Sequence, residues 1–178
     1  VVALLVQTAF ALTVANVWYR MGASGLVLSA FALARVRLDW RALYRPSWRH
    51  FAQGTVAAAV MYAVGALVTR LLTASPALAA QIVELYGWKR MVPDALAVPL
   101  LLVIVLGEEI VWRNAVTLPL AARLGPWRGA LGAAALYALA HLPMGVPFLL
   151  LAALGAGTFW SALVLKTRSA VPALVSHV

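Results

Sequence analysis

The stretch 95–107 carries no polar side chain and runs straight into two adjacent glutamates, Glu108 and Glu109, with Arg113 about one helical turn further on. Carboxylates surrounded by hydrocarbon are costly, and at membrane depth they mark a functional site by default. Only five residues of the chain are acidic. A fold that buries this stretch must therefore find partners for two of them at one place, and that demand constrains every element around it.

The chain is 65% hydrophobic and 11% charged, where soluble domains carry roughly a quarter charged residues. Several apolar runs approach the ~20 residues that cross a bilayer. The reading is an all-α, polytopic transmembrane helical bundle of about six to seven membrane helices. Spans are expected over about 1–18, 22–34, 51–72, 95–120, 127–141 and 148–165, with the seventh starting after Ser169 and truncated at Val178. The first run lacks a basic leader and a small-residue cleavage site, so it reads as a span rather than a signal peptide. The Val1 start and the Val178 stop suggest a piece of a longer chain. Residues 1–94 form N-terminal helices with an Arg-rich interfacial segment at 35–50, and 95–178 form a membrane core. The two parts are expected to make one compact membrane domain. Gly125-x-x-x-Gly129 and Gly155-Ala-Gly157 suit close helix packing.

There is no cysteine, which excludes disulfides and thiolate metal sites. A net charge of +9 in a soluble protein would suggest nucleic acid, but here the basic residues flank apolar segments, so the bilayer is the expected partner. Nine Lys and Arg lie in the loops 35–49, 123–128 and 166–168, against Arg20, Arg70, Lys89 and Arg90 on the other side. The first set is therefore read as cytoplasmic, in an integral protein of a prokaryotic cytoplasmic membrane.

Glu109 and Arg113, four apart, can pair along one helix, leaving Glu108 for another partner, because adjacent helix positions point about 100° apart. One arginine does not require two acids, so balancing Arg113 alone leaves Glu108 unexplained. His141 follows Tyr137 by four residues and precedes the helix-breaking Pro143-Met-Gly-Val-Pro147. The helix 127–141 is about 22 Å long, short of the ~30 Å hydrocarbon core. Its break is then expected inside the membrane, where irregular backbone lines a cavity. Helix rise places Glu108, His141 and His177 about 22, 20 and 14 Å below the basic end, comparable depths on three helices. A carboxyl group in apolar surroundings is a usable base and later an acid, and an imidazole can donate to an oxyanion. The same trio would also suit zinc.

Glu108-Glu-Ile-Val-Trp-Arg113, then Tyr137-x-x-x-His141, then His177, resemble in order the motifs of the CPBP intramembrane proteases (the Abi or CAAX-protease family), relatives of the type II CAAX prenyl endopeptidase. The resemblance covers about 95–178. It implies an intramembrane endopeptidase with a glutamate-activated water and no required cofactor, zinc being the alternative. On that pattern Glu108 is the general base, His141 holds or activates the water, His177 supports the oxyanion, and Glu109 and Arg113 brace the site. The implied substrate is a peptide at the membrane, such as a lipid-modified or sorting tail. Tyr137 replaces the family's usual Phe, and the family's last motif runs on to an Asn four residues past its His, beyond Val178. Two other classes fit buried acids and histidines: a proton-coupled carrier, disfavoured by the lack of an internal repeat, and a non-catalytic membrane partner that keeps the fold.

Overall fold

A computed structural model describes residues 16–178, and every regular element among them is helical. In chain order these are α1 (Val17–Arg35), the short α2 (Trp40–Leu43), α3 (Trp48–Leu72), α4 (Pro76–Gly87), α5 (Asp94–Glu108), α6 (Leu118–Leu124), α7 (Pro126–Ala140), α8 (Pro147–Thr167) and α9 (Val171–His177). Between α5 and α6 the chain keeps winding through wider π turns over Glu109–Thr117. Among the described residues, four helices are long and apolar enough to cross a membrane: α1, α3, the continuous rod Asp94–Leu124, and α8. The expected span over 1–18 lies almost wholly outside the described residues. The span expected at 22–34 is longer than its apolar core suggested, because Asn16 caps it upstream, accepting from the Trp18 N–H at 3.0 Å.

That cap also fastens α1 in place. Asn16 Nδ2 donates to the Met91 carbonyl at 2.8 Å, and Trp18 Nε1 donates to that of Trp88, also at 2.8 Å. Gly22, Gly25, Ser29 and Ala32 recur every three or four residues on the buried face of α1. Where lipid tails are as apolar as the helices, small residues bring backbones together and dispersion holds them. A Cβ added to Gly107 would lie 3.2 Å from the Gly25 Cα. This crossing sets α1 directly beside Glu108.

α7 and α8 pack by the same rule. Gly125, at φ 85, turns the chain from α6 into α7, and a Cβ on Gly129 would overlap the Ala121 backbone. Ala130, Ala133, Ala134 and Tyr137 form the buried face of α7. α7 ends at its expected break, with a tight turn over Leu142–Met144 and Gly145 in the left-handed region at φ 74.

The N-terminal half also seats α9. α8 stops at Arg168, whose φ of 55 turns the chain back. The Leu43 carbonyl, at the end of α2, accepts from Ala170 N–H at 2.9 Å and from the Ser169 hydroxyl at 3.1 Å. Gly54 of α3 meets the far side of α9, where a Cβ would fall 2.6 Å from the Val175 Cβ. The Arg-rich segment, expected to lie at the headgroups, is thus also a clamp. It fixes the start of α9, and the helix then carries His177 about 10 Å away from that anchor.

Candidate active site

Glu108, the last residue of α5, meets three side chains from two other helices. The Tyr137 hydroxyl donates to Glu108 Oε2 at 2.8 Å. His141 Nε2 lies 3.9 Å from Oε1, and His177 Nε2 lies 3.5 Å from Oε2. The 3.9 Å separation exceeds a direct hydrogen bond but fits one bridging oxygen, roughly 2.8 Å from each atom at an angle near 90°. The other nitrogen of His141, Nδ1, sits 2.8 Å from the Tyr137 carbonyl. A carbonyl only accepts, so Nδ1 carries a proton and Nε2 is the nitrogen that faces Glu108.

Glu109 and Arg113 lie one layer behind. Arg113 Nε is 3.5 Å from Glu109 Oε1, and the two side chains are 1% and 0% exposed. The same oxygen is 2.9 Å from His177 Nδ1. Both glutamates therefore reach one imidazole, although an α-helical spacing sets neighbours about 100° apart. Two things reconcile these facts. The ring offers nitrogens on two edges, and the π turns that begin at Glu109 widen the winding there. Pro119 lacks an amide proton, so the wide turns meet a residue that cannot donate in either register.

Aromatic rings complete the support. The Arg113 guanidinium lies over the rings of Tyr137 and Trp160, at 4.3 and 5.0 Å from their centroids. Trp160 in turn stacks on His177 at 3.7 Å and donates through Nε1 to the Ser176 hydroxyl at 3.1 Å. Gly157 makes room for the Tyr137 ring, since a Cβ there would lie 3.0 Å from Tyr137 Cδ1. Gly157→Val is expected to cost about 1–3 kcal/mol by overpacking. It should also weaken the Tyr137–Glu108 bond, giving a lower unfolding temperature in detergent and lower turnover.

Glu108, Tyr137, His141 and His177 line a cavity of about 400 Å³ whose other walls are mostly apolar, among them Leu101, Ile104, Val105 and Leu149. Tyr86 and Lys89 are exposed at its rim, while Val105, Tyr137 and His141 are buried. α1 contributes Trp18 and Met21 to the wall. Among the described residues, no group of three or more His, Cys, Asp and Glu side chains is arranged to hold a metal ion.

Three partners escaped the reading of the sequence. Trp160 looked like ordinary apolar helix. Asn114 donates to the Tyr44 hydroxyl at 2.7 Å, tying the π turns to the Arg-rich segment. Its signal was present, because an amide inside an apolar span needs a partner. Burial, and then the nearby Glu109 carboxylate, push the Tyr44 hydroxyl well above its ordinary value, so it stays neutral.

A family model described as type II CAAX prenyl endopeptidase Rce1-like matches residues 90–178. No curated protein and no solved structure matches the chain.

Proposed function

The chain belongs to the type II CAAX prenyl endopeptidase Rce1-like family, and on that premise we propose that it hydrolyses peptide bonds inside the membrane with a water activated by Glu108. Membership in a protease family supports a CAAX-type intramembrane protease acting on a peptide at the membrane, and gives the carrier reading no support. The observation that carries the mechanism is the placement of one carboxylate against two imidazoles at the floor of an apolar cavity.

Tyr137 occupies Glu108 Oε2, which leaves Oε1 as the basic oxygen. A water between Oε1 and His141 Nε2 gives one hydrogen to each and turns a lone pair toward the substrate carbonyl. Oε1 takes the proton as the water oxygen bonds to the carbonyl carbon. His177, whose Nδ1 is held by Glu109, supports the oxyanion through Nε2–H in the form that carries a proton on both ring nitrogens. Collapse breaks the C–N bond, and Glu108 returns its proton to the leaving amine. Tyr137, where the family usually has Phe, spends its extra hydroxyl on orienting the base. The apolar walls favour aliphatic side chains beside the scissile bond, as in a lipid-modified or sorting tail in the cytoplasmic membrane.

His141→Ala is expected to lower cleavage of a membrane-tethered reporter peptide about 10²-fold by releasing the water, with folding intact. A variant as active as the wild type would defeat the assignment. Chelator at millimolar concentration should leave wild-type turnover unchanged. A loss restored by added zinc would replace the metal-free mechanism with one in which Glu108, His141 and His177 ligate the metal.

A further inference from the structure

A second cavity, about 680 Å³, lies between α3 and α8 at the basic end, away from Glu108. Its rim is cationic, with exposed Arg49 on α3 and exposed Lys166 on α8. Its inner wall is apolar, with Val56, Val60 and Phe159. His50 and Gln53 also line it. These two side chains add hydrogen-bonding groups between the cationic rim and the apolar wall. No carboxylate lines it.

The cavity continues at Val60 and Phe159 into an apolar trough of about 610 Å³ between the same two helices. From Arg49 to Val60 helix α3 climbs about 16 Å. The order along the helix is therefore cations, then hydrogen-bonding groups, then hydrocarbon, which is the order of a phospholipid. Basic pockets between membrane helices on the cytoplasmic side bind anionic headgroups, and the Lys and Arg distribution puts this end on that side.

We infer that the groove between α3 and α8 binds an anionic glycerophospholipid of the cytoplasmic leaflet. Its phosphate sits on Arg49 and Lys166, its headgroup hydroxyls meet His50 and Gln53, and one acyl chain lies along Val56, Val60 and Phe159. Charge complementarity favours this occupant over a second copy of the chain, whose matching surface is also basic. Gly54, on the same turn of α3 as Gln53, packs on Val175, two residues before His177. Helix α3 thus carries the groove on one face and the helix that holds His177 on another.

The test uses nanodiscs of equal phosphatidylglycerol and phosphatidylcholine, with retained lipid counted by native mass spectrometry after transfer to detergent. The wild type is expected to retain phosphatidylglycerol with about tenfold preference, falling to about twofold or less in Arg49→Ala/Lys166→Ala. Arg41→Ala, which does not line the groove, should keep the preference. A double variant as selective as the wild type, or a wild type without preference, overturns the inference. A photoactivatable phosphatidylglycerol on unaltered protein gives a readout independent of variant folding. Adducts within 49–60 and 159–167 support the site, and adducts only elsewhere overturn it. Displacement of the lipid by free glycerol phosphate would show a headgroup-only anion site and overturn the lipid assignment.

Discussion

Glu108→Gln is expected to reduce peptide hydrolysis by about 10³-fold or more while leaving the fold untouched. The amide matches the carboxylate in size, and its carbonyl still accepts the Tyr137 hydroxyl that now bonds Oε2. What it cannot do is take a proton from water and later surrender one to the departing amine. The measurement is cleavage of a membrane-tethered reporter by purified protein in liposomes, with unfolding temperature as the control. Wild-type cleavage with Gln at this position would remove Glu108 from the chemistry. Lost cleavage together with a collapsed unfolding temperature would show a structural role for the carboxylate instead.

Arg113→Ala carries the largest expected stability effect, about 3–5 kcal/mol. The substitution leaves the Glu109 carboxylate, 0% exposed, without its cation, and removes the guanidinium that lies over Tyr137 and Trp160. Removing one partner of a buried pair costs far more than replacing both, because the stranded charge stays desolvated. Glu109→Gln combined with Arg113→Met should therefore recover most of the loss. Denaturant unfolding in detergent reads both variants. A single substitution costing under about 1 kcal/mol, the range of an exposed pair, would show that Arg113 is not holding Glu109 in place.

Much of the candidate site's geometry is legible in the sequence. Glu109 and Arg113 stand four apart in hydrocarbon, and that spacing alone brings them together. His141 precedes two prolines and a glycine, and helix-breaking at membrane depth pointed to a cavity edge. What the sequence hid depends on departures from regular geometry or on long-range packing. The π winding after Glu109 leaves no compositional trace, so the sharing of His177 by both acids was unreadable. Trp160 is indistinguishable from lipid-facing aromatic residues until α8 is packed against α7 and α9. The role of Leu43 is invisible for a deeper reason, since it acts through its backbone carbonyl on Ser169 and Ala170. No side-chain pattern encodes that contact.

The seating of α9 on the Leu43 carbonyl and against Gly54 also sets when the candidate site is complete. Glu108 leaves the ribosome first, His141 next and His177 later still, and chains fold from the N-terminus during synthesis. Until α9 takes the seat formed by α2 and α3, the nascent chain has Glu108 without the His177 ring that stands 3.5 Å from it in the folded protein. On the proposed mechanism, hydrolysis would therefore follow assembly of the bundle rather than precede it.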